Sequence, residues 1–188
     1  MKIVISESQY KRLIESEEEQ KVFNLPSLDF FDYDPFEAWK IIQKIIEKKG
    51  NPPYSVGGNL DLRRTPIKSL ENLQSVGGYL DLRDTPIESL GNLQSVGGDL
   101  NLYDLPITSL GNLKSVGGRF DLSYTLIESL DNLKSVGGEL VLGRTPIQSL
   151  GNLEFVGGDL YLRGTPVSKM YSKEEIREMV NVGGGIYL

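Results

Sequence analysis

A twenty-residue unit returns along most of this chain without a slip in register, and that period constrains the fold more than any other feature. Ser55-Val56-Gly57-Gly58 reappears as Ser75-Val76-Gly77-Gly78, then from Ser95, Ser115 and Ser135, and Phe155-Val156-Gly157-Gly158 opens a sixth copy. Written out, the unit is S-V-G-G-x-L-x-L-x-x-T-P-I-x-S-L-x-N-L-x. A unit this short cannot bury its apolar face alone. Stacked copies can, and they build a solenoid in which each copy packs only on its neighbours. An apolar fraction of 39% is low for a globular core of 188 residues but sufficient for that architecture.

Each position of the unit has a physical reading. The x-L-x-L-x segment alternates with period two, so it is a short strand. Leu60 and Leu62 face the core, and Asn59, Asp61 and Arg63 face outward. The Gly-Gly pair before it is a turn that needs positive φ or close backbone approach. Pro66 and its equivalents end the strand, because proline cannot donate to a ladder. Ile67, Leu70, Leu73 and Val76 are the remaining inward residues. Twenty residues leave no room for a long back helix, so the convex side is expected to be turns and 3-10 segments. Rungs of the parallel sheet then lie about 4.8 Å apart. The recurring Asn72, Asn92, Asn112, Asn132 and Asn152 are expected to satisfy turn backbone groups inside the coil.

Leu60-x-Leu62-x-x-Thr65-x-Ile67 resembles the L-x-L-x-x-N-x-L core of leucine-rich repeats. Thr65, Thr85, Thr125, Thr145 and Thr165 stand where that family usually carries a ladder asparagine. The form with Thr, Ile and V-G-G is similar to a short type found in bacterial and phage proteins. The resemblance covers residues 55–188 and implies an α/β solenoid with a short parallel sheet and a binding surface. Leu105 departs from the Thr rule and Leu126 from the Pro rule, each expected to loosen one turn without breaking the stack.

The flanks divide the chain further. Residues 1–20 contain an amphipathic stripe of Ile5, Tyr10, Leu13 and Ile14 and an acidic run, a candidate docking helix. Met1 to Ile14 resembles the starts of otherwise dissimilar phage and environmental-virus proteins. Residues 21–54 hold a linker and a helical cap. Asp34-Pro35-Phe36-Glu37 is a capping box that opens a helix to about Lys49. Phe36, Trp39, Ile42 and Ile46, widened by Ile41 and Ile45, form its apolar face toward the first repeat. Residues 55–188 form the solenoid. Its period breaks after Val167, where Ser172-Lys173-Glu174-Glu175 opens a second helix to about Val180 (a helical insertion near 172–180). Val182 to Leu188 then restarts the repeat and leaves what reads as an uncovered edge, a candidate surface for a homodimer.

Composition removes several function classes. With no Cys and no His, the chain lacks disulfides, thiol nucleophiles, Ser-His pairs and the usual zinc ligands. A net charge of −6 argues against a general grip on nucleic acid. The apolar run Met1 to Ile5 is too short for a signal-peptide core, and no stretch approaches a membrane span, so a cytoplasmic or virion location is expected. No phosphate-binding fingerprint, cofactor or metal site is expected, and no enzyme.

What varies against the fixed frame is the outward strand face. The first column runs Asn59, Tyr79, Asp99, Arg119, Glu139, Asp159; the second Asp61, Asp81, Asn101, Asp121, Val141, Tyr161; the third Arg63, Arg83, Tyr103, Ser123, Gly143, Arg163. Asp61 and Asp81 fall one rung apart and, with Arg63 and Arg83, make a checkerboard of opposite charge. Carboxylates about 5 Å apart also suit a retaining glycosidase, but flanking arginines lower both pKa values and an open sheet excludes no water. The expected function is recognition of a protein partner by this face, with the tyrosines as anchors and the arginines as forks. The alternatives are a structural role in a viral assembly, held by the N-terminal helix and C-terminal edge, and carbohydrate binding by the tyrosines.

Overall fold

The computed structural model describes residues 22–26 and 35–188 and shows a parallel β-solenoid with two sheets rather than one. Residues 1–20, with the candidate docking helix, and Asp34 of the first capping box lie outside the described residues. One sheet has eight strands, in spatial order Phe23–Leu25, Tyr54–Val56, Leu73–Val76, Ser95–Val96, Ser115–Val116, Ser135–Val136, Phe155–Val156 and Asn181–Val182. The other has seven: Leu60–Asp61, Leu80–Asp81, Leu100–Asn101, Phe120–Asp121, Leu140–Val141, Leu160–Tyr161 and Ile186–Tyr187. All pairs are parallel, and within the regular coils the register advances by one repeat, as in Ser95↔Ser115 and Leu80↔Leu100.

The second sheet corrects the expected convex side. The Ser-Val segment is a strand, and no 3-10 segment occurs among the described residues. A serine and a valine are too few for a visible alternation, so only the stacking of copies reveals them as extended. The strands of the first-recognised sheet are also shorter than expected. They end at the second-column residue, before Pro66 is reached. The segment between residues 21 and 34, which has no clean period, supplies an edge strand at Phe23–Leu25 instead of a linker alone.

Inside each coil the inward residues fall as the pattern requires. Leu60, Leu62, Ile67, Leu70, Leu73 and Val76, and their equivalents, are buried in one continuous core. The threonines are buried too, and their role is local. Thr65, Thr85, Thr125, Thr145 and Thr165 each donate Oγ1–H to the carbonyl three residues earlier, at 2.6 to 2.8 Å. A β-branched hydroxyl therefore closes the turn without leaving a buried donor unmade. Leu105 keeps the backbone part of that turn, with its amide 3.2 Å from the Leu102 carbonyl. Leu126, in place of proline, has an amide to donate and spends it on Ile107 of the coil before. Neither departure interrupts the stack. The asparagines act between coils more than within them: Asn92 Nδ2 donates to Asn72 Oδ1, and Asn132 and Asn152 donate to the Gly111 and Asp131 carbonyls.

The Gly-Gly pair is the corner between the two sheets, and close approach is its reason. A Cβ on Gly97 would stand 2.2 Å from the Gly77 carbonyl oxygen, and the next coils repeat the geometry. Positive φ falls elsewhere, at the two turns that follow, as at Arg64 and Glu71.

Helices flank the regular coils on both sides. Helix α1, Pro35–Lys48, buries Trp39, Ile42 and Ile46, and the Trp39 ring lies 6.5 Å from that of Tyr54. Ile41 and Ile45 are exposed, so its apolar face is narrower than expected. Tyr54 is fully buried. Its hydroxyl donates to the Leu70 carbonyl and accepts from Gln43 Nε2, and burial pushes its pKa up. In the last coil α2, Val167–Met170, and α3, Lys173–Met179, replace the usual turns. The α3 capping box forms as expected: the Ser172 hydroxyl accepts from the Glu175 amide and the Glu175 carboxylate accepts from the Ser172 amide. No helix among the described residues is long and apolar enough to cross a membrane.

Gly97→Ala is expected to destabilise the protein by roughly 3 kcal/mol, because a backbone carbonyl cannot step aside. Gly143→Ala meets nothing nearer than 3.7 Å and is expected to be close to neutral. Thermal unfolding of the two variants beside wild type checks the contrast.

Candidate functional site

The outward face of the seven-stranded sheet brings together much of what the columns suggested. Asp61, Arg63, Tyr79, Asp81, Arg83, Asp99 and Asn101 line one shallow hollow of about 360 Å³. Asp61 and Asp81 are register partners on adjacent strands. Arg63 grips Asp61 through two prongs, Nε to Oδ1 at 2.9 Å and the terminal nitrogen to Oδ2 at 2.6 Å. Arg83 holds Asp81 the same way at 3.0 and 2.7 Å, and Arg63 Nε reaches Asp81 at 3.6 Å. The checkerboard of opposite charge is therefore built.

Those carboxylates have a second task. Asp61, Asp81, Asn101 and Asp121 each accept the amide two residues on, at 3.0 to 3.1 Å, an Asx turn that closes the strand. The first column divides. Asn59, Asp99 and Asp159 accept the amides of Tyr79, Arg119 and Gly185 in the following coil. The space they occupy is where a Cβ on Gly78, Gly118 or Gly184 would fall. Much of the variation along these columns is thus an exchange among residues that hold the coils together. Burial raises the Asp61 pKa, but hydrogen bonds from the Arg63 side chain and amide and the charges of Arg63 and Arg83 outweigh it, so the group sits below its ordinary value. This arrangement keeps a carboxylate ionised and unsuited to general acid work.

Arg119 bridges coils, donating to Asp121 at 3.0 Å and Glu139 at 2.8 Å. Arg163 is exposed, and its side chain has no ion-pair partner among the described residues. Two aromatic clusters also form between coils. Tyr103 meets Tyr124 edge-on at 5.3 Å, and Arg144 donates to the Tyr124 hydroxyl at 2.7 Å with its guanidinium over the ring. Tyr161 stacks on Tyr187 at 4.7 Å and 9°. Sequence reasoning missed Tyr124, Arg144 and Tyr187. The first two lie one position past the third column, on the positive-φ turn. Tyr187 pairs with Tyr161 only after the helical insertion is subtracted, a register of 26 residues instead of 20.

The eight-stranded sheet carries a second shallow groove of about 430 Å³, lined by Ser75, Ser95, Ser115, Ser135 and the corner glycines, with Phe155 exposed at one end. Among the described residues no group of three acidic side chains is placed to hold a metal ion. Comparison with protein-family models, curated proteins and solved structures yields no match.

Asp61 is expected to stabilise the fold above the unfolded carboxylate pKa of about 3.9, with that contribution lost as pH falls through its depressed folded value. Asp61→Asn should therefore flatten the acid limb of the stability curve below about pH 4 while leaving the Asx turn intact. Urea unfolding at stepped pH measures it; an acid limb identical to wild type would remove Asp61 from the account.

Proposed function

We propose that this protein is a leucine-rich-repeat solenoid, capped at its N-terminal end by α1, that acts as a non-catalytic binding module for a protein partner. The partner docks on the outward face of the seven-stranded sheet. The observation that carries the reading is the pair of aromatic clusters at that face, Tyr103–Tyr124 with Arg144 over the Tyr124 ring and Tyr161–Tyr187, above a buried frame that repeats from coil to coil. Tyrosine and arginine are among the residues that most often anchor protein interfaces, tyrosine because it covers a large area at low entropic cost and arginine because its planar fork binds several acceptors at once. Support for the leucine-rich-repeat assignment comes from the buried Leu60, Leu62, Thr65 and Ile67 set. Support for the cap comes from Trp39 and Ile46, which cover Tyr54 and the first coil.

The Asx turns narrow the face. Asp61, Asp81, Asn101 and Asp121 serve the backbone as well as any partner, so specificity falls to Tyr79, Arg83, Tyr103, Tyr161 and Arg163. A Tyr79→Ala, Arg83→Ala, Tyr103→Ala protein is expected to lose its partner by roughly 30-fold or more in affinity. A control with Gln94→Ala and Lys114→Ala, beside the other sheet and just before its strands, should keep it. The readout is capture from source lysate followed by titration of the captured protein. Equal capture by all three would sink the strand-face reading. A glycan captured in place of a protein would replace the partner class.

A further inference from the structure

Beside the Asn181–Val182 strand, the edge of the eight-stranded sheet is occupied by one side chain, while the Ile186–Tyr187 edge of the seven-stranded sheet carries no such cover among the described residues. At every step along the eight-stranded sheet, the two corner glycines of a coil donate to the coil before. Gly77 and Gly78 donate to the Val56 and Gly58 carbonyls at 2.7 and 2.9 Å. Gly157 and Gly158 donate to Val136 and Gly138 at 2.8 and 2.9 Å, and Gly183 and Gly184 to Val156 and Gly158 at 2.8 and 3.0 Å. The next acceptors in this series are the Val182 and Gly184 carbonyls. Both are taken by Arg177, whose two terminal guanidinium nitrogens donate to them at 2.9 Å each.

We infer that Arg177 stands in for the glycine pair of a further coil and so keeps a second copy of this chain from pairing at this end. The guanidinium suits the task because its donors form a rigid planar fork, here set to the spacing of two successive backbone amides. Helix α3 delivers it. The capping box fixes the start of that short helix at Ser172, and Ile176 is buried beside Arg177 and anchors the turn to the core. The helical insertion that breaks the repeat thus has a purpose at the sheet edge. An in-register coil would have to displace or crowd the fork to reach the Val182 and Gly184 carbonyls. Sheet edges with unpaired carbonyls are templates for association, and charged side chains are a usual means of blunting them. Like charge adds to the block, since two copies meeting at this end bring two guanidinium groups together.

The test is sedimentation velocity over a wide concentration range on wild type, Arg177→Leu and Arg177→Lys, each with circular dichroism and amide exchange. Leu keeps an apolar stem without donors. Lys keeps stem and charge but offers one nitrogen instead of a fork. Arg177→Leu is expected to form concentration-dependent dimers or larger species where wild type sediments as the smaller form, with Arg177→Lys in between. Folded variants that sediment like wild type at every concentration would overturn the proposal. So would loss of exchange protection across residues 172–188 in both variants without association, because Arg177 would then be a stabilising contact for the last coil and nothing more.

Discussion

Backbone packs directly on backbone at the Gly-Gly corners, and the rest of the structure depends on it. Each corner glycine sits so near the carbonyl of the coil before that a methyl group has no room. That approach lets the two glycine amides donate to the preceding coil. It also sets the angle at which a chain leaving one sheet enters the other. Once the corner is fixed, Val76 on one side and Leu80 and Leu82 on the other point into the same interior. A core then follows from nearest-neighbour stacking alone.

The same constraint explains why so much of the variable face is structural. A two-residue strand makes few ladder hydrogen bonds, so each coil needs help at its turns. The Asx residues of the second column close the strand on one side. The Asn and Asp residues of the first column reach across to the next coil on the other. The Arg63–Asp61 and Arg83–Asp81 pairs hold the carboxylates for these turns and neutralise the charge of two acids on adjacent rungs. An exposed network of this kind contributes modestly to stability.

On either side of the regular coils the packing changes. Before the first of them, Trp39, Ile42 and Ile46 of α1 are buried, and the Tyr54 hydroxyl is satisfied by Gln43 and Leu70. After the sixth copy of the repeat, Arg177 supplies hydrogen-bond donors to the Val182 and Gly184 carbonyls from a helix that interrupts the repeat.

The amino-acid sequence by itself determined the solenoid, its period, its inward residues and the positions of α1 and α3, though not of the short Val167–Met170 helix, since each is written in local spacing: the period of the glycine pair, the alternation of Leu60 and Leu62, the capping box at Ser172. It also foretold the Asp61–Arg63 checkerboard, because side chains two apart on a strand share a face. Only the tertiary structure decided that Ser-Val is a second sheet, since two residues carry no period and their strand exists only through the neighbouring coils. Stacking likewise decided that Tyr124, Arg144 and Tyr187 join the aromatic clusters, because their neighbours are one coil away in space and twenty or more residues away in sequence. The occupied edge belongs to the same class. Nothing in the local sequence distinguishes Arg177 from any charged residue on a short helix, and its role is set by two carbonyls that a further coil would otherwise take.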